Sequence, residues 1–167
     1  CMDQPRTLLI IYHSHTGGTL QMAQAVQDGA QQEAQVTTRL LHATQAHAQD
    51  LLQADAYVFA CPENLAAISG LMKDFFDRSY YALLDRLQGR SYAALVCAGS
   101  DGSNAARQIA RIATGWRLKP AAAPLIVCTH AQTPQAIAAP KTITPADWQA
   151  CRDLGHAMAS GLALGVF

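Results

Sequence analysis

The chain of 167 residues is half hydrophobic and only 14% charged, and its 12 lysines and arginines balance 12 aspartates and glutamates. That length suits one domain, residues 2–167, able to bury roughly 70% of its unfolded surface, and the apolar content excludes a disordered chain. A formal net charge of zero excludes a field steering the protein to nucleic acid or an anionic membrane, and no acidic surface for docking on basic redox partners is expected.

Of the five cysteines, Cys1 precedes Met2 and carries no reading. Cys61, Cys97, Cys128 and Cys151 form no C-x-x-C pair, and with the six histidines they show no zinc spacing. They read as free thiols in a reducing cytosol, with Cys97 and Cys128 in the core. No segment approaches the roughly 18 apolar residues of a membrane span, and no basic-then-apolar leader precedes the first strand.

In chain order, Thr7–Tyr12 is short and β-rich and reads as a buried strand. Leu20, Ala23, Val26 and Ala30 recur at helical spacing, predicting a helix from Thr19 to about Glu33. Val36–Leu41 and Ala56–Ala60 are the second and third strands, the latter ended by Cys61-Pro62. Gly70–Leu87 carries enough apolar residues for one long helix. Ala93–Ala98 is the fourth strand, Ser103–Gly115 a helix, and Pro124–Thr129 carries the fifth strand. After the Pro- and Ala-rich stretch Thr133–Pro145, Ala146–Leu164 forms a last helix, with Thr144 as N-cap and Pro145 in the first position. This alternation predicts a doubly wound five-stranded parallel sheet in a three-layer α/β/α arrangement.

In such a sheet, ligands sit beyond the carboxyl ends of the strands. The first turn there, His13-Ser14-His15-Thr16-Gly17-Gly18-Thr19, leads straight into a helix. Its glycines let the backbone wrap closely around a ligand, the helix start offers amides and a favourable dipole to an anion, and Ser14, Thr16 and Thr19 add hydroxyls. A Walker A loop needs Gly-Lys, a dinucleotide fingerprint needs G-x-G-x-x-G with an acid after the second strand, a cysteine phosphatase loop needs Cys and Arg, and a receiver domain needs acids after the first strand. None of these is present. The loop is built for one terminal phosphate held by neutral donors with no cation assisting. His13 and His15 are of unspecific type here.

The pattern Ser14-x-Thr16-Gly17-x-Thr19 resembles the phosphate loop of the flavodoxin-like family. The run from Pro62-Glu63-Asn64 through Ser69-Gly70 to Met72-Lys73-Asp74-Phe75-Phe76-Asp77 resembles the flavin-edge loop and helix of that family's NAD(P)H-dependent FMN reductase branch. Gly99-Ser100-Asp101-Gly102-Ser103-Asn104 stands where the family has its second ring-binding loop. The resemblance covers roughly Leu8 to Val127. It implies a flavodoxin-like fold and FMN held by Ser14, His15, Thr16, Gly17, Gly18 and Thr19. Pro62, Glu63, Asn64 and Leu65 would lie at the ring, with Gly99, Ser100, Asp101, Gly102 and Asn104 opposite. Several of these are also ordinary turn residues.

The departures from the family pattern bear on function. Electron carriers sandwich the ring between aromatic side chains and surround it with carboxylates, which disfavour the reduced anion. Here neither loop has Trp, Tyr or Phe, and only Glu63 and Asp101 are acidic. An open ring face suits an enzyme taking hydride from NAD(P)H and reducing a quinone, a flavin or a similar acceptor. Such chemistry belongs to the cofactor and needs no side-chain acid or base, so no catalytic residue is expected. A flavodoxin-type carrier serving a redox protein remains the alternative, and a non-catalytic domain of the same fold a third reading. Tyr80 and Tyr81 widen the apolar surface of the third helix, which fits a second subunit or burial under a neighbouring loop. Arg107, Arg111, Arg117 and Lys119 fit either a solvated face or attraction of the NADPH phosphate. Trp116 and Trp148 read as packing residues.

Overall fold

The computed structural model describes residues 4–167, so Cys1 lies outside the described residues. Four long strands form the centre of a parallel sheet: β1 (Arg6–Tyr12), β2 (Val36–His42), β3 (Ala56–Asn64) and β5 (Ser91–Ala98), in the order β2-β1-β3-β5. The fifth position is taken by two short pieces, β6 (Lys119–Pro120) and β7 (Leu125–Cys128), which pair with the beginning and end of β5. The expected fifth strand is therefore interrupted, because Pro120 and Pro124 lack the N–H that a continuous ladder requires. With β4 (Ala67–Ile68), which folds back antiparallel on β3, the sheet has seven strands around the expected five-stranded core.

The central strands are apolar because they are covered on both faces: Leu8, Leu9, Ile10 and Ile11 are all fully buried, as is most of β5. On one face α1 (Gly18–Ala30) and α6 (Pro145–Leu164) pack together so closely that a Cβ on Gly29 would fall 1.8 Å from the Arg152 carbonyl oxygen. The other face carries α2 (Ala48–Gln53), α3 (Gly70–Ser79) and α4 (Ser103–Gly115) over an aromatic core of Tyr57, Phe59, Phe75, Phe76 and Trp116. This is the three-layer doubly wound architecture expected. Thr144 caps α6 by accepting from the Asp147 amide at 3.1 Å, with Pro145 at its first position.

Two elements differ from the reading of the sequence. The long helix Gly70–Leu87 stops at Ser79. Trp116 stacks on Tyr80 and its indole N–H donates to the Tyr80 carbonyl at 3.0 Å. A short 3₁₀ turn, Tyr81–Leu83, follows and lets Leu83 and Leu87 both reach the core, while Tyr81 stays 80% exposed. The third strand, expected to end at Cys61-Pro62, runs on to Asn64. Pro62 is tolerated there because β1 has already ended level with Ala60, so no neighbour on that side asks for an N–H.

Candidate functional site

The sheet order places the switch point between β1 and β3, where successive connections leave for opposite faces. Beyond the carboxyl ends of β1, β3, β5 and β7 the loops enclose an open cleft. Of the residues expected to bind, Ser14, His15, Thr16, Gly18, Thr19, Pro62, Glu63, Asn64 and Gly99 line it. Gly17, Leu65, Ser100, Asp101, Gly102 and Asn104 do not. Cys97, Ala98, Thr129, Ala131, Ile137 and Lys141 also line it, and the sequence reading missed them.

The first loop is shaped for close approach. Gly17, the residue before α1, has φ +100°, a conformation suited to glycine, and its amide donates to the Ser14 hydroxyl at 3.1 Å. A Cβ on Gly18 would meet the Cys97 sulfur at 2.7 Å. No side chain caps α1 and no acid stands in its first turn, so its leading amides face the cleft free. Cys97 forms the floor, and burial pushes its thiol up while Lys141 acts in the other direction. It is a packing thiol and no nucleophile. Cys61 and Cys151 are buried as well, whereas Cys128, expected in the core, is only half-buried.

His13, just before the loop, is structural. It is buried, its Nδ1 shares a hydrogen bond of 2.7 Å with the Ser69 hydroxyl, and its ring packs edge-on against His42.

The second and third loops are tied to each other. Glu63 leaves the end of β3 and accepts from two amides at the start of α4, Gly102 N at 3.0 Å and Ala105 N at 3.1 Å. The carboxylate thus takes the anion position at that helix. Asn104 donates from its side-chain amide to the Ala66 carbonyl, fixing the tip of the β3–β4 hairpin. Asp101 folds back on Ser103, accepting from its amide at 3.3 Å and its hydroxyl at 2.8 Å. The residues expected opposite the ring therefore include three that hold the loops in shape. Leu65 and Ala66 form the two-residue hairpin turn with φ of 52° and 61°, which turns the Leu65 side chain fully into solvent.

A strap closes the cleft from the last connection of the chain. The Lys141 amide donates to the Thr16 carbonyl at 2.8 Å. The Gln21 side chain, one turn into α1, donates to the Gly17 and Lys141 carbonyls at 3.0 and 2.6 Å and accepts from the Ile143 amide at 3.0 Å. Lys141, a cation outside the first loop, stands among the lining residues, and the sequence reading did not place it there. Arg107, Arg111, Arg117 and Lys119, named from the sequence, do not line the cleft: Arg107 reaches Asn104 at 3.4 Å, while Lys119 pairs with Ser91 and Arg117 approaches Asp85 at the far end of the sheet.

A parallel sheet of this order with an open cleft at its switch point defines a flavodoxin-like α/β protein. Residues 42–132 match the family described as NADPH-dependent FMN reductase, and that is more than half of the chain. The chain belongs to this family. A protein named Flavodoxin from Aquifex aeolicus (strain VF5) is 34% identical over 95 residues, which are 57% of this chain and 51% of that protein. The match thus spans about half the length of that curated relative. Among solved structures, a flavodoxin from the domain Archaea superposes with a TM-score of 0.76 at 20% identity, covering 94% of this chain and 99% of that one. The rubredoxin oxygen:oxidoreductase of Desulfovibrio gigas does so with 0.74 at 18% identity, over 98% of this chain but 38% of that one. These two likenesses concern the fold. Among the described residues no group of side chains could hold a metal ion, and no helix is long and apolar enough to cross a membrane.

The site residues fit FMN. Among the described residues two helices open toward the cleft and one start is free: Glu63 fills that of α4, while α1 offers uncapped amides, three neutral hydroxyls and a glycine surface without side chains.

Proposed function

We propose that this protein binds one FMN, its phosphate at Ser14–Thr19 and its ring between the hairpin at Pro62–Asn64 and the loop at Gly99–Ser100, and acts as an NAD(P)H-dependent oxidoreductase. The observation that carries the phosphate assignment is the open start of α1 beside the filled start of α4. When bound, the flavin supplies the redox chemistry.

The chain's own residues bind, orient and leave access. Ser14, Thr16 and Thr19 with the α1 amides hold the phosphate. Glu63 and Asn104 lock the two ring loops to one another, so the gap between them is set by hydrogen bonds within the protein. Among the described residues no Trp, Tyr or Phe lines the cleft, which supports a flavin face open to a nicotinamide and to a quinone, a free flavin or a similar acceptor. Among the described residues the one lining carboxylate, Glu63, is already committed to two amides, so it offers no general base, and none is needed.

The test is NAD(P)H oxidation by FMN-loaded protein with a panel of quinones and flavins. Turnover well above that of free FMN supports the enzyme. A second reading, an electron carrier for a protein partner, is favoured by the resemblance to the flavodoxin relative and by the exposed Leu65 at the hairpin tip. Absence of turnover with every acceptor, together with reduction only through an added reductase, selects that reading.

A further inference from the structure

Lys141 belongs to none of the three loop motifs, yet its backbone and side chain both start against the first of them. Its amide is bonded to Thr16, and its Cβ would lie 3.5 Å from a Cβ placed on Gly18. Gln21 ties the strap to the loop, binding the Lys141 carbonyl and the Ile143 amide on one and the Gly17 carbonyl on the other. The strap therefore follows the phosphate loop as one body.

Its charge is available. Among the described residues no carboxylate lies within ion-pair distance of Lys141. The ammonium donates to the Ile137 and Ala139 carbonyls at 2.9 and 2.6 Å, at the end of the short helix α5 (Pro134–Ala138). An ammonium has three N–H donors, and two neutral carbonyls leave one donor and no formal counter-charge. The charge is felt inside the cleft, where it counters the effect of burial on the Cys97 thiol.

We propose that Lys141 is a cofactor-binding residue, a cation on the strap that pairs with the terminal phosphate of the flavin mononucleotide beside the neutral donors of the first loop. This rests on the FMN reading above. Its consequence is selectivity: the protein distinguishes FMN from riboflavin by a charge that the first loop does not supply, and the distinction is salt-dependent.

The experiment measures binding of FMN and of riboflavin to the apo-protein by flavin fluorescence, for wild type, Lys141→Gln and Lys141→Arg. Salt is varied from about 0.1 M to about 1 M, over which the screening length shrinks from roughly 10 Å to roughly 3 Å. The expected loss for Lys141→Gln is about tenfold in FMN affinity, the worth of one charge-assisted hydrogen bond. Riboflavin binding should be unchanged, the salt dependence for FMN should diminish, and Lys141→Arg should stay close to wild type. Equal FMN affinity and salt dependence in wild type and Lys141→Gln overturns the role of Lys141 and leaves the FMN reading intact. An equal loss for both flavins makes Lys141 a structural residue and also overturns the proposal. Wild-type protein that binds no FMN, or binds riboflavin equally well, refutes instead the phosphate assignment on which it rests.

Discussion

Replacing Glu63 by alanine should loosen the protein without touching its hydrophobic core. The carboxylate is half-buried and its two oxygens each accept from a different amide, at 3.0 and 3.1 Å, across 39 and 42 residues of sequence. It serves as an N-cap supplied by another element, so the loss should resemble removal of a strong cap plus one charge-assisted bond, with water partly replacing both. That amounts to about 2 kcal/mol, and for a domain of this size it lowers the melting temperature by roughly 4–8 °C. Glu63→Gln keeps one acceptor but turns an NH₂ group toward the second amide, so it should lose about 1 kcal/mol or a little more. Urea unfolding of the apo-protein measures both, and amide exchange at Gly102 and Ala105 localises the effect. A further consequence follows from the charge: with the carboxylate gone the α4 start becomes a vacant anion position, so inorganic phosphate should stabilise Glu63→Ala more than wild type. Unchanged urea midpoints, or a glutamine variant weaker than the alanine variant, would refute the assignment of Glu63 to the α4 start.

Three other outcomes are expected. Gly155→Ala places a Cβ 2.0 Å from the Val26 carbonyl oxygen, and Gly29→Ala one at 1.8 Å from that of Arg152; each should cost about 3 kcal/mol or more in urea unfolding, and the pair less than the sum because one separation of α1 from α6 relieves both. Burial, reinforced by His42 and His15, holds the His13 imidazole below its ordinary value of 6.5. The unfolded chain then binds the proton more readily, so this contribution is complete above that value and is lost as the pH falls through it; His13→Asn should flatten the decline of the urea midpoint between about pH 7.5 and pH 5, and an unaltered slope would place the acid sensitivity elsewhere. Burial pushes the thiols of Cys61 and Cys151 up to about 12, so alkylation of the native protein at about pH 8, followed by mass spectrometry, should leave both unmodified while half-buried Cys128 reacts.

The elements read well from sequence are those with strong local signals. The strand Thr7–Tyr12 is a run of branched residues between polar neighbours, α4 runs over the predicted Ser103–Gly115, and Thr144-Pro145 marks the start of α6. Short elements escaped: α2 has six residues, α5 five and β4 two, too few for periodicity to show and dependent on what they pack against. The site was half legible for the same reason. Ser14, Thr16 and the glycines announce an anion loop within a few adjacent positions. Glu63, read from the sequence alone, gives no sign that its partners lie at Gly102 and Ala105. Nor did anything local show that Tyr80 would be taken up by Trp116, ending a helix whose apolar pattern continues to Leu87.

Lys141 shows why topology supplies what motif reading cannot. β7 lies beside β5, on the side of the sheet away from β1, yet α6 must reach the layer where α1 already packs. The connection between them has to travel along the carboxyl edge of the sheet, over the ends of β5, β3 and β1, and so across the cleft. Residues 129–144 take that path, and Gln21 anchors them as they pass. A cation anywhere in the first loop would sit at fixed distance from the phosphate amides. On this crossing it is held by two hydrogen bonds of a single glutamine, to the Lys141 carbonyl and from the Ile143 amide, so Gln21→Ala should release it. In that variant the preference for FMN over riboflavin should fall nearly as far as in Lys141→Gln, although the lysine itself is intact. If the preference survives the loss of Gln21, the strap does not position the charge.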